Sequence, residues 1–311
     1  VRIEEMINYF SYDYPNSDDG TPFSVTTELS DCPWNSETKL LSVGIKANDI
    51  EEERPGSNIV FLLDVSGSMY SNDKLPLVQQ AFSLLAEGLT ENDRVSIVTY
   101  AGADEVVLEG VSGNKTRQIC EAIFDLEAGG ATAGAAGIIT AYEIAEKYYI
   151  DGGINRVILA TDGDLNVGLS SVDELTELIE KERESGVFLS VLGFGTGNYK
   201  DNRLEALADN GNGSYSYIDS IDEAEKVLVE ELNATLVTVA KDVKFQLEFN
   251  PANVRGYRLI GYENRALAPE DFNDDKKDAG EIGAGHTVTA LYEIVPADSD
   301  FNMGGVPELK Y

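Results

Sequence analysis

The chain has 311 residues, and its 56 Asp plus Glu against 23 Lys plus Arg give a formal net charge of −33 at pH 7. That length fits one large domain or two of roughly 100–200 residues, and 42% hydrophobic residues with 9% aromatics supply a core that a disordered acidic chain would lack. A field of this sign repels phosphate backbones and anionic membrane surfaces and attracts cations, which excludes nucleic acid as a partner.

Two cysteines, Cys32 and Cys120, cannot build the disulfide framework of a small secreted domain, and the sequence leaves their pairing with each other open. Cys120 lies in RQICEAIFDL beside Ile119, Ile123 and Leu126, the setting of a buried thiol. One histidine, His286, and two distant cysteines cannot supply tetrahedral zinc ligation. Ser-His-Asp or Cys-His catalysis would have to use His286, and GAGHTVTALYEI reads as the start of an exposed strand. No run approaches the roughly 20 apolar residues of a transmembrane helix. The chain starts at Val1 rather than Met, as a mature or trimmed form would, with any signal or lipid-anchor segment upstream.

In chain order, Ile3, Met6, Ile7 and Phe10 follow helical spacing, and SYDYPNSDDGTP closes this short amphipathic helix. Tyr9, Phe10, Tyr12 and Tyr14 form the apolar face expected to dock the segment. Phe23-Val25-Thr27-Leu29 and Leu41-Val43-Ile45 alternate with the period of half-buried strands, with Trp34 in the turn DCPWNSE expected to pack between strands. DIEEERPGS (49–57) is a polar connector. From Ser57 the texture changes. NIVFLLDVS is a continuous apolar run, as in a parallel strand buried on both faces, and residues 75–89 are helical. RVSIVTY (94–100) is a second buried strand, EVVLEG (105–110) a short edge strand, and 115–126 and 134–149 are helices. RVILATDGD (156–164) and VFLSVLGFGTG (187–197) are strands joined by the helix VDELTELIEKERES. RLEALADN is a helix, GSYSYID a strand, and EAEKVLVEELNATLVTVAK a long closing helix.

Strands alternating with helices predict βαβ units and a doubly wound, mainly parallel sheet, whose ligands bind at the carboxyl ends of the strands. After Lys241 alternation returns in Val243-Phe245-Leu247-Phe249, Tyr257-Leu259 and Val288-Ala290-Tyr292-Ile294, with a long loop expected over 263–285. The expected organisation is one β-rich, sandwich-like domain made by both chain ends, residues 1–55 and 241–311, with an α/β domain, 56–240, inserted between them.

Asp64, Ser66 and Ser68 form D-x-S-x-S at the tip of the first buried strand, where a turn points one carboxylate and two hydroxyls at a common point. Thr132 in GGATAG, at a helix start, adds a third hydroxyl, and Asp162 in ATDGD adds a second carboxylate, through water. These hard oxygen donors suit Mg²⁺, Ca²⁺ or Mn²⁺. With at most two carboxylates, the cation keeps residual positive charge and an open position for a partner's carboxylate. Asp164 is either an outer neighbour of this group or a helix cap.

DVSGSM, GGAT and TDGD, in this order on alternating strands and helices, resemble the von Willebrand factor type A (VWA) domain with its metal-ion-dependent adhesion site. The resemblance covers about residues 56–240 and implies that Asp64, Ser66, Ser68, Thr132 and Asp162 take the five metal positions. The flanks VRIEEMINYFSYDYP and AKDVKFQLEFNPANVRGYRLIGYENR resemble a bacterial group of exported, often lipoprotein-like VWA proteins. The implied function is a metal-dependent adhesion or scaffold module, not an enzyme. It would bind a protein presenting an acidic side chain, at an extracytoplasmic cell surface or in the periplasm. The alternatives are a metal-dependent hydrolase and an intracellular VWA assembly subunit of an ATPase complex.

Other matches are weaker. GFGTGN (193–198) lacks the spacing and first-strand placement of a dinucleotide loop. Asp162-Gly163-Asp164-Leu165-Asn166 opens like a calcium loop, but its later glycine is Gly168, not at the sixth position. An aspartyl phosphatase would want a second Asp where Ser66 stands. The sequons at Asn114, Asn212 and Asn233 are of the number chance supplies in an Asn-rich chain.

Overall fold

Alternating and continuous apolar runs produce two different kinds of sheet, antiparallel and mainly parallel. The structure, a computed structural model, describes residues 3–18, 20–49, 55–130, 134–163, 172–195, 201–231, 238–262 and 280–301. It divides into two units, one of Val1–Glu52 with Val237–Tyr311 and one of Glu53–Leu236.

The first unit begins with helix α1 (Ile3–Asn8) and strands β1 (Phe23–Asp31) and β2 (Lys39–Ala47). The inserted unit follows with strand β3 (Ser57–Asp64), a single 3₁₀ turn (Gly67–Tyr70), helix α2 (Leu75–Glu87), strands β4 (Arg94–Tyr100) and β5 (Asp104–Ser112), and helices α3 (Thr116–Phe124) and α4 (Gly134–Lys147). It continues through β6 (Ile154–Thr161), α5 (Val172–Arg183), β7 (Phe188–Phe194), α6 (Asp201–Asn210), β8 (Tyr215–Ile218), α7 (Ile221–Glu225) and a π-helical stretch (Lys226–Glu231). Strands β9 (Thr238–Val243), β10 (Val254–Ile260), β11 (Gly280–Gly283) and β12 (Thr287–Pro296) return to the first unit.

In the first unit the antiparallel sheet runs β1-β2-β12-β10, with Phe23 opposite Ala47 and Thr287 opposite Lys46, so a strand from each chain end meets at its centre. β9 and β11 form a second, two-stranded antiparallel sheet. Ile45, Ala47 and Ile282 are buried together, with Phe23 and Val243 packed on them, which gives this unit its own small core. At the sheet edge, Val25 and Leu29 of β1 are exposed. The alternation predicts the strand correctly, but the face that Val25 and Leu29 share with exposed Thr27 is left open to solvent.

α1 docks through its polar residues rather than its apolar ones. The Asn8 side chain accepts from Thr289 N at 2.7 Å and donates to Thr289 O at 3.2 Å, while Glu4 Oε2 accepts from Tyr262 N at 3.0 Å. Met6, Tyr9 and Phe10 stay exposed, contrary to the face expected from their spacing. Tyr14 does dock. Its hydroxyl lies 2.9 Å from Thr289 Oγ1, and its ring covers Gly44 so closely that a Cβ there would sit 2.1 Å from Tyr14 Cζ. Trp34 is exposed in the turn between β1 and β2, which backbone bonds from Asn35 N to Cys32 O and from Thr38 N to Asn35 O close, and its side chain hydrogen-bonds Glu293 of β12 rather than packing between strands. Both cysteines are free thiols, Cys32 buried and Cys120 partly buried.

The inserted unit is a six-stranded sheet of order β5-β4-β3-β6-β7-β8, parallel except for the antiparallel edge pair β4–β5. Every residue of β3 is buried. Its odd positions Ile59, Phe61 and Leu63 face a core with α2, α3 and α7, and its even positions Val60 and Leu62 face one with α4, α5 and α6. Phe61 meets Phe82 edge to face at 4.7 Å. This two-sided burial explains the unbroken apolar runs, since neither face of a central strand meets water. The order changes direction beside β3, whose neighbours are β4 and β6, and the carboxyl edge there is the expected ligand position of a doubly wound sheet.

Three elements differ from their sequence patterns. Of the strand expected over Val243-Phe245-Leu247-Phe249 only Val243 lies in a strand, the last residue of β9, and residues 244–250 form none. The expected closing helix ends in the π-helical stretch at Glu231, and Thr238–Val243 is a strand; residues 232–237 lie outside the described residues. Within the loop expected over 263–285, Gly280–Gly283 is the strand that pairs with β9, while 263–279 lie outside the described residues.

Candidate metal centre

β3 ends at Asp64, fully buried, and the chain turns at once. Val65 N bonds Tyr100 O at 3.0 Å, which keeps the turn on β4, and Met69 N closes the 3₁₀ turn on Ser66 O at 3.0 Å. Met69 is itself fully buried and anchors the turn in the core. Gly129 N bonds Val65 O at 2.8 Å, and Gly67 N bonds Gly130 O at 3.1 Å, so the loop that follows α3 is stitched to the D-x-S-x-S turn. Gly130 takes the left-handed conformation, φ +80°, which favours glycine.

Asp64 Oδ1 accepts from Ser66 N at 2.9 Å, and Oδ2 accepts from Tyr100 OH and from Thr161 Oγ1, each at 3.2 Å. Ser66 Oγ lies 3.0 Å from Ser68 Oγ, so the two hydroxyls share one side of the turn. Burial pushes the Asp64 carboxyl above its ordinary range; hydrogen bonds from Ser66 and Thr161 oppose this, and the nearby Asp162 charge adds to it. Burial first, then the Asp64 charge, raises the Tyr100 phenol well above its ordinary value, so Tyr100 stays a neutral donor.

Asp162 follows β6, the other neighbour of β3, and is almost fully buried. Thr161 between them accepts from Gly163 N at 3.2 Å while donating to Asp64, which ties the two carboxylate-bearing turns through one hydroxyl. Gly163 sits at φ +89°, letting the chain turn sharply after Asp162. Asp64, Ser66, Ser68 and Asp162 therefore converge at one sheet edge. Thr132 and Asp164 lie outside the described residues.

Two participants lie outside the motifs, Tyr100 and Lys74, and a third, Thr161, opens TDGD but carries no role in the sequence reading. Lys74 occupies the N-cap position of α2 but makes no cap; its ammonium donates to Asp162 Oδ2 at 2.9 Å and to Ser68 O at 3.0 Å. Tyr100 and Thr161 could be suspected as polar residues ending buried strands. The only hint of Lys74 is a charge six residues after Ser68.

The donor set fits a hard cation. It offers two carboxylates and two adjacent hydroxyls, one carboxylate being shut away from water. Among the described residues no three His, Cys, Asp or Glu side chains gather as a metal cage, so any cation at this edge depends on the serine hydroxyls.

Residues 58–232 match the profile described as von Willebrand factor type A domain. Residues 1–42 match one described as von Willebrand factor, and 234–311 match one described as Uncharacterized protein YfbK, C-terminal. Uncharacterized protein YfbK of Escherichia coli (strain K12) is 49% identical over 302 residues, 94% of this chain and 52% of that protein. Uncharacterized protein sll0103 of Synechocystis is 30% identical over 192 residues, 62% of this chain and 44% of that one. The chain thus spans about half the length of these relatives. The solved structure of von Willebrand factor type A from Catenulispora acidiphila superposes with a TM-score of 0.55 at 16% identity, over 91% of this chain and 67% of that one, a likeness of fold. With its parallel sheet, its two helical layers and a profile match across 58–232, the chain belongs to the von Willebrand factor type A domain family.

Proposed function

We propose that the protein is a metal-ion-dependent protein-binding module. Asp64, Ser66 and Ser68 hold Mg²⁺, or Ca²⁺ or Mn²⁺, directly; Thr132 and Asp162 complete its surroundings directly or through water. An acidic side chain of a protein partner takes the open coordination position, and the cation supplies the positive charge that the acidic surface lacks. The observation that carries this reading is Asp64. Its carboxyl is fully buried at a strand end, with both of its oxygens hydrogen-bonded and two serine hydroxyls beside it. A buried carboxylate of this kind is costly unless a cation meets it. The coarser part, a family of interaction modules, rests on the profile match. The same reading places the protein at an extracytoplasmic surface, secreted or lipid-anchored. Among the described residues no helix is long and apolar enough to cross a membrane.

The test is a titration of Mg²⁺ or Mn²⁺ into chelator-treated protein. A ligand bound only by the folded state raises the unfolding temperature, by an amount equivalent to about 2.7 kcal/mol at a hundredfold excess over Kd. Wild type is expected to show a saturable rise that Asp64→Ala abolishes. No rise, or an undiminished rise in Asp64→Ala, removes the site. Metal-dependent turnover of phosphoester or peptide substrates that Asp64→Ala abolishes would replace binding by hydrolysis.

A further inference from the structure

Lys74 has a made-to-measure berth. Its ammonium bridges Asp162 Oδ2 and Ser68 O, and its side chain is only 18% exposed, against 4% for its partner. The aliphatic stem runs along Gly195, just past the end of β7. A Cβ on Gly195 would fall 2.5 Å from Lys74 Cε and 2.6 Å from Cγ, so only glycine leaves room for the lysine. Gly195 also sits at φ +82°, and its carbonyl accepts from Tyr217 OH of β8 at 3.0 Å, which fixes that wall in place. Three separate elements thus hold one positive charge against the second carboxylate of the centre.

We propose that Lys74 is a tethered cation within the metal centre. By neutralising Asp162 it leaves Asp64 as the one uncompensated carboxylate, so a divalent ion is held more weakly but the loaded centre keeps a net positive charge for an anionic ligand. Two carboxylates alone would cancel the charge of a divalent ion, so the residual positive charge expected from the sequence requires the lysine paired with Asp162. This rests on the metal-binding reading above and assigns the lysine a part in it.

The experiment measures Mn²⁺ binding to the full chain by electron paramagnetic resonance of the free ion, in wild type and in Lys74→Gln, Lys74→Met and Lys74→Arg. Removing one positive charge a few ångströms from the ion, at an effective dielectric of about 20, tightens Mn²⁺ binding by about tenfold or more. Lys74→Gln and Lys74→Met are expected to show that gain, and Lys74→Arg to remain near wild type. Adding Asp162→Asn to Lys74→Gln is expected to cancel the gain, because the lysine acts through that carboxylate. Lys74→Met keeps most of the stem against Gly195 and serves should Lys74→Gln fail to fold. Equal or weaker Mn²⁺ binding in a folded, charge-removing variant, with wild type binding Mn²⁺, overturns the role of Lys74 and leaves the metal site standing. Absence of Mn²⁺ binding in wild type and every variant removes both. Binding that emerges only once the charge is removed supports Lys74 as the group that sets the affinity.

Discussion

Asp64 holds an ionisable carboxyl where water cannot reach it, so its charge is a burden on the fold unless a cation shares the site. Burial raises its folded-state value above the ordinary one. In the window between the two values the folded protein binds more protons than the unfolded chain, so stability falls as pH rises through that window, and the penalty persists above it. Asp64→Asn removes the penalty and keeps the hydrogen bonds, since an amide can accept from Ser66 N and donate to the hydroxyls of Tyr100 and Thr161. In chelator at neutral pH this variant is expected to be more stable than wild type by about 1 kcal/mol. Urea unfolding should show the gain shrinking as the pH approaches about 4, the ordinary carboxylate range, and the same protein should no longer bind Mn²⁺. A less stable Asp64→Asn at neutral pH would mean that hydrogen bonding, not desolvation, governs this carboxyl. The motif residues of this site were legible because D-x-S-x-S, GGAT and TDGD carry their chemistry in their spacing. Lys74 was not. Nothing in NDKLP says that the side chain at a helix start turns away from its own helix to reach a strand two positions along the sheet.

The opposite end of β3 meets a different carboxylate with a different task. Asp93, fully buried before β4, accepts from Ser57 N at 2.9 Å and Ser57 Oγ at 2.5 Å, and from Thr90 N at 2.7 Å and Thr90 Oγ1 at 2.9 Å. It satisfies the start of β3 and the turn that follows α2. Asp93→Ala strands the Ser57 amide and hydroxyl in the interior, while those of the exposed Thr90 can turn to water, and is expected to cost about 2 kcal/mol. Thermal unfolding should fall while Mn²⁺ affinity is unchanged, because the residue sits at the opposite end of β3 from the metal centre. A parallel loss of Mn²⁺ binding would show that the two ends are coupled. The central strands were readable as elements because burial on both faces writes an unbroken apolar run. The segment after Glu231 was not. Val239 and Val243 suit a strand as well as a helix pattern, and β9 is decided by β11, a partner some 40 residues further on. Phe245, Leu247 and Phe249 alternate as a strand would, yet residues 244–250 form none.

At the scale of the whole molecule, a net charge of −33 makes self-repulsion a general term in stability. Screening lengths shrink from about 30 Å at 0.01 M salt to about 8 Å at 0.15 M. The unfolding temperature in chelator is therefore expected to rise as NaCl is raised over that range, and an acidic partner is expected to bind more tightly with the same change. An unfolding temperature that falls with salt would place the dominant electrostatics in local ion pairs instead. The division into units cuts across chain order, because β2 and β12 lie side by side although the whole inserted unit separates them in sequence. That adjacency sets a waiting time. Lys46 must wait for Thr287, roughly 240 residues later, and at about 5–20 residues per second the interval is roughly 10–50 s. Throughout it, one side of β2 is an unmet row of amides and carbonyls on a nascent chain, able to pair with the same strand of a neighbour. The hazard for this protein therefore lies in the crowding of half-made copies, and the rate at which new chains are started governs how many of them close correctly.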